Sequence, residues 1–188
     1  MKNHKLLFWQ PEKDILKLLN QSTSGKIFVI VSNYIIWIFL FYISFLLISF
    51  KTNIFWQLLL ATIIGEIIEK YGKSHVLWRR PLFLRHDPTP VGLVDRWYKT
   101  GSFPSGHTIK AIYFMLFIIQ YPVFPFTYYV LLITPLLFFR ILIGFHYPID
   151  MLGGIVFGIF CWLSSFQISF PSAYTLIIRD IFNLIFRL

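Results

Sequence analysis

The chain has 188 residues, 57% of them hydrophobic and 20% aromatic, and its mean hydropathy is +0.69. No ordinary soluble domain of this size conceals so much apolar surface, so the composition indicates an integral membrane protein. The formal net charge is +9, from 17 Lys and Arg against 8 Asp and Glu, and the single cysteine, Cys161, excludes an internal disulfide.

The N-terminal stretch MKNHKLLFWQPEKD has no apolar core of signal-peptide length and no small-residue cleavage site, so it is expected to stay on the mature protein. Ile15 to Leu19, beside Lys13 and Lys17, suggests a short amphipathic segment. Five stretches then approach the roughly 20 apolar residues that a bilayer crossing needs. Ile27 to Phe50 is the clearest, with Asn33 as its only amide side chain, and Asn53 to Tyr71 is weaker because it carries Gln57, Glu66 and Glu69. The third runs from Gly106 to Phe124, the fourth from Pro125 to Gly144 with a kink expected at Pro135, and the fifth from Pro148 to Phe166. Ala173 to Leu188 places Arg179, Asn183 and Arg187 on one helical face, as an interfacial helix does. Leu82 to Phe103 is too polar to span, and its prolines, glycines and charges read as a surface loop or lid. The expected fold is an all-α integral membrane protein, a bundle of five to six transmembrane helices with amphipathic terminal helices. Residues 1–188 read as one membrane-embedded domain with a motif-bearing core at about 53–166.

Charged and imidazole residues gather in KSHVLWRRP (Lys73 to Pro81), PSGH (Pro104 to His107) and RILIGFHYPID (Arg140 to Asp150). Counting crossings puts all three at the same side of the membrane, which makes them a candidate site. Lys73 and Arg80 supply fixed positive charge, and Arg140 adds a planar fork able to grip a phosphate. Ser105 and the backbone amides of Gly106 and His107 sit where a helix N-terminus directs unpaired N–H groups at an anion, and Gly106 permits close approach. His146 and Asp150 are four apart, so the carboxylate can hold one imidazole nitrogen and leave the other nucleophilic. His107, from another helix, can protonate a leaving oxygen and later activate water. The constellation describes phosphoryl transfer through a phosphohistidine.

These motifs resemble those of the type 2 phosphatidic acid phosphatase family, the membrane lipid phosphate phosphatases, which read K-x6-R-P, P-S-G-H and S-R-x5-H-x3-D. Lys73 through Arg80 to Pro81 matches the first, and Pro104-Ser105-Gly106-His107 the second. In the third, Arg140, His146 and Asp150 match, while Phe139 stands where the family usually has serine. The resemblance implies that His146 is the nucleophile, Asp150 its orienter and His107 the general acid and base. It implies that Lys73, Arg80, Ser105, Gly106 and Arg140 bind phosphate, with no metal and no cofactor. The compact chain and GFHYPIDMLGG look most like the short bacterial undecaprenyl-diphosphatases of this family. Phosphatidylglycerol phosphate, phosphatidate, lipid A phosphates and transfer of phosphate to another lipid remain open. Expected partners are a membrane lipid phosphate and the lipid bilayer, with no nucleic acid.

Several residues have plainer readings. Arg79 is expected to be a juxtamembrane anchor, His75 and His86 loop residues, and Trp78 and Trp97 interface aromatics. An ion pair between Glu69 and Lys73 competes with phosphate for Lys73. Lys110 is expected to pair with Glu66 or to snorkel, ahead of serving a second phosphate with Arg79 and Arg85. The resemblance implies a multi-pass protein of the plasma membrane with its site facing outside, whereas Lys2, Lys5, Lys13, Lys17 and Lys26 on the catalytic side favour the cytoplasm by charge bias. A non-catalytic phospholipid-binding protein is the competing class, and the two histidines with Asp150 argue against it. Soluble vanadate-dependent haloperoxidase relatives share the motifs, but five apolar spans argue strongly against them.

Overall fold

The computed structural model describes residues 4–11, 15–85 and 99–186, so Lys2, Lys13, His86, Trp97 and Arg187, together with most of the expected surface loop, lie outside the described residues. The chain is all-α: α1 (His4–Leu7), α2 (Ile15–Asn20), α3 (Thr23–Phe50), α4 (Ile54–Ser74), α5 (Pro81–Leu84), α6 (Gly106–Gln120), α7 (Phe126–Leu142), α8 (Pro148–Ser165) and α9 (Ser172–Phe186). Among the described residues one isolated β-bridge forms, between Arg79 and Gly101.

Local chemistry sets the helix ends. Ser22 caps α3 by accepting the Gly25 N–H at 3.0 Å, which satisfies a donor that the first turn would leave orphaned. α6 stops at Gln120, short of the expected Phe124, because Tyr121 precedes Pro122 and takes an extended conformation. α7 starts after Pro125 and runs unbroken through Pro135. Leu82 falls within α5 and is fully buried, so the segment read as a surface loop begins with a packed helical turn.

α6 and α8 form the centre of the bundle: α6 packs most extensively against α8 and then equally against α4 and α7, while α4 packs on α8. Small residues permit the first contact. A Cβ on Gly158 would lie 2.6 Å from Ile112 Cβ and 2.8 Å from the Ile109 carbonyl, and one on Gly154 would lie 2.6 Å from Thr108 Cβ. The main core joins Leu40 and Ile43 of α3, Leu58 of α4, Ile109 and Phe117 of α6, and Tyr129 of α7. A smaller cluster of Leu16, Val29, Leu82, Ile143 and Phe145 seals the end where the charged motifs lie.

α3 and α8 are long and apolar enough to cross a membrane, while α6 and α7 are shorter apolar helices. α4 is long enough, but Glu66, Glu69, Lys70 and Lys73 lower its apolar character. Only 22% of the most apolar window of α3 and 28% of that of α8 is buried, so Ile38, Phe41 and Val156 face outward. α9 buries none of its residues.

The α6–α8 contact predicts that Gly158→Val destabilises the protein by about 1–3 kcal/mol through overpacking against Ile112 and the Ile109 carbonyl. Thermal unfolding in detergent should show this loss, with Leu152→Ala, an exposed position on the same helix, staying within about 0.5 kcal/mol of wild type.

Candidate active site

The three motif clusters enter from the ends of α4, α6, α7 and α8. The β-bridge ties the first to the second: Gly101 N–H donates to the Lys73 carbonyl and Ser102 N–H to the Trp78 carbonyl, both at 3.2 Å. This fixes Trp78, Arg79 and Arg80 beside the strand-like approach to α6. Arg80 is nearly fully buried and donates from its guanidinium to the Phe145 carbonyl at 3.1 Å, which joins the first cluster to the third. Burial lowers Arg80 to about 10, with the charges of Asp150 and Glu69 opposing the shift, so the guanidinium stays positive at neutral pH.

Ser105 is the N-cap of α6. Its Oγ accepts from the Thr108 N–H at 3.4 Å and from Thr108 Oγ1 at 2.9 Å, and its backbone N–H donates to the Asp150 carbonyl at 3.1 Å. His107 follows in the first turn, edge-on to the Trp37 ring at 5.1 Å between centroids. Its Nε2 is buried and has no hydrogen-bond partner among the described residues. A buried donor or acceptor of that kind is costly unless something meets it.

The turn between α7 and α8 folds back on Arg140, whose carbonyl accepts the N–H groups of Phe145 at 2.9 Å and His146 at 3.4 Å. The Arg140 guanidinium lies over the Phe145 ring at 5.0 Å and donates to Asn33 Oδ1 of α3 at 2.8 Å. Asp150, with no exposed surface, sits one turn beyond His146. Its Oδ2 accepts from His146 Nδ1 at 3.3 Å and from the Tyr147 N–H at 2.8 Å, while Oδ1 accepts the Trp78 indole N–H at 2.8 Å. An ionised carboxylate only accepts, so Nδ1 of His146 carries the ring proton and Nε2 keeps a lone pair. Burial pushes His146 down to about 4, against the pull of the Asp150 hydrogen bond.

These residues converge. His107 lies close enough to Arg140, His146, Lys110 and Lys73 for their charges to act on it, and Arg80 and Arg140 act on Lys73 in the same way. A cavity of 590 Å³ opens beside them, lined by Trp37, Glu66, Glu69, Lys73, His107 and Lys110 among others. Trp37 and Lys110 also border an apolar groove of 530 Å³ that runs past Phe41, Tyr113 and Phe114.

The family model of the PAP2 superfamily matches residues 54–174, well over half the chain, and takes in all three clusters. The chain belongs to the PAP2 superfamily. It is accordingly a phosphatase of the PAP2 type, an enzyme that hydrolyses phosphoric esters. No curated protein and no solved structure matches the chain.

In this PAP2 chain all eight residues singled out from the sequence gather at one end of the bundle. Two neighbours of the PAP2 motifs do more than expected. Trp78, read as an interface aromatic, reaches inward to Asp150, because the β-bridge turns its segment toward α8. Asn33 holds Arg140, and its standing as the only amide in an apolar span was the available signal. Phe139, where the family usually has serine, packs edge-on against Phe28 of α3 at 5.1 Å. The expected pairs are present: Glu69 with Lys73, and Glu66 with Lys110 at 2.8 Å, to which Glu69 with Lys110 at 3.0 Å is added. Among the described residues no group of three or more His, Cys, Asp or Glu is arranged to hold a metal ion.

The state of His146 has a consequence for stability. The native protein keeps the ring neutral down to about 4, while the unfolded chain protonates it near 6.5, so across that window the unfolded state binds the extra proton. This contribution is fully present above pH 6.5 and is lost as pH falls toward 4. Thermal midpoints measured from pH 8 to 4 should therefore fall less steeply for His146→Gln than for wild type below about 6.5.

Proposed function

We propose that this PAP2 enzyme is a multi-pass membrane lipid phosphatase that works through a phosphohistidine, without metal, with undecaprenyl diphosphate as its preferred substrate. The observation that carries the reading is the Asp150 carboxylate holding His146 Nδ1, which leaves Nε2 as a nucleophile beside a cluster of cations. Lys73, Arg80, Arg140, the Ser105 hydroxyl and the amides at the start of α6 bind the phosphate and spread its charge. The Nε2 lone pair of His146 attacks phosphorus as the bond to the leaving oxygen breaks. His107, protonated beside the bound phosphate, gives that oxygen its proton. Neutral His107 then takes a proton from water, whose oxygen attacks phosphorus and breaks the N–P bond. Free phosphate leaves and His146 is restored.

The outward apolar faces of α3 and α8 support a place in the bilayer, and the enclosed charges support a site that meets the headgroup at its surface. A cavity with charged residues in its wall, sharing Trp37 and Lys110 with an apolar groove, suits a phosphate attached to a hydrocarbon chain. Preference for the polyprenyl diphosphate rests on the resemblance of GFHYPIDMLGG, and outward orientation at the plasma membrane rests on the family.

Purified protein in detergent with EDTA should release phosphate from undecaprenyl diphosphate faster than from phosphatidylglycerol phosphate or phosphatidate. His146→Ala should release none, and His107→Ala should lose about 10²–10⁴-fold in kcat. Wild-type-like hydrolysis by His146→Ala would refute the mechanism, and faster release from a glycerolipid would refute the substrate. Because Phe139 faces α3, Phe139→Ser should leave kcat within about threefold of wild type in the same assay.

A further inference from the structure

The place where the proposed mechanism seats a phosphate is already taken by a carboxylate of the protein. A Cβ built on Gly106 would fall on the three carboxylate atoms of Glu69, closer than on any other group. Glu69 thus lies in the close-approach space at the N-terminus of α6. The same carboxylate pairs with Lys73 and, through Oε2, with Lys110 at 3.0 Å. A helix N-terminus and a lysine are the features that attract phosphate, and here an internal anion lies against Gly106 and pairs with the lysine.

We propose that Glu69 is an internal competitor that substrate phosphate must displace from Gly106 and Lys73. This inference rests on the phosphatase reading of the site. Lys110 provides the displaced carboxylate with a home. It is almost fully buried, stacked over the Trp37 ring at 5.1 Å, and bonded to both Glu66 and Glu69. When phosphate arrives, Glu69 gives up Lys73 and stays with Lys110, so neither lysine is left unpaired.

The exchange sets a charge threshold. A terminal phosphate or diphosphate brings about two negative charges to the cations and replaces one carboxylate. A phosphodiester brings a single charge and gains little from the same exchange.

Inhibition by inorganic phosphate and by diethyl phosphate, a monoanion, should be measured alongside KM and kcat for wild type, Glu69→Gln and Glu69→Asp. In Glu69→Gln the inhibition constant for phosphate should fall about tenfold, KM should fall with it, and diethyl phosphate should gain no more than phosphate does, since the removed charge repels a monoanion less than a dianion. Glu69→Asp keeps the charge but draws it back by one methylene, so it should move the same way by a smaller factor with both lysines still paired. Should the Gln variant fail to fold, the Asp variant decides. Unchanged or weaker phosphate inhibition in a folded variant would overturn the proposal and leave Glu69 as a structural partner of its lysines. If wild type hydrolyses no lipid phosphate, the phosphatase reading fails by itself, and calorimetric titration of the same three proteins with inorganic phosphate still tests Glu69.

Discussion

A carboxylate shut off from water has to be met by donors, and Asp150 collects its donors from widely separated parts of the chain. The Trp78 indole arrives from the segment after α4, the imidazole from the turn before α8, and the Tyr147 amide from the cap of α8 itself. The Asp150 backbone carbonyl adds the Ser105 amide at the start of α6. Losing any one donor would leave part of a buried charge unmatched, a cost of a few kcal/mol at least. The network therefore holds three motifs in register and at the same time settles which nitrogen of His146 bears a proton.

Around this point the packing differs from that of a water-soluble bundle in its outer faces and at one end of its interior. Large apolar side chains cover the outer faces of α3 and α8, while glycines let α6 and α8 approach in the middle and charged groups fill one end of the interior. Such an arrangement is stable where the surroundings are apolar, because lipid accepts the exposed Ile, Phe and Val side chains without penalty. Burial strengthens every charge interaction within the enclosed end.

Among the described residues Lys73, Arg80, Lys110 and Arg140 face Glu66, Glu69 and Asp150 at that end. Asp150 is committed to its three donors, and the two glutamates are shared between the two lysines. The Arg80 guanidinium donates to the Phe145 carbonyl and the Arg140 guanidinium to Asn33 Oδ1, contacts that position both. In the proposed mechanism the phosphate lies between these arginines and the start of α6.

Much of this was legible in the sequence. Apolar runs separated by prolines located the long helices, since length and hydropathy are local properties, and the spacing of His146 and Asp150 defined their contact because both belong to one helical turn. Lys73 with Glu69 was legible for the same reason. What the sequence could not show were contacts between elements. The indole of Trp78 turned inward because a bridge to Gly101 rotates its segment, and Asn33 met Arg140 because α3 crosses α7 at that height. Glu69 came to lie against Gly106 because α4 packs on α6. Residue types and local spacing thus determined the chemistry and the helices on which it rides. The register between helices, which depends on how side chains pack across interfaces far apart in sequence, was decided only by the tertiary structure.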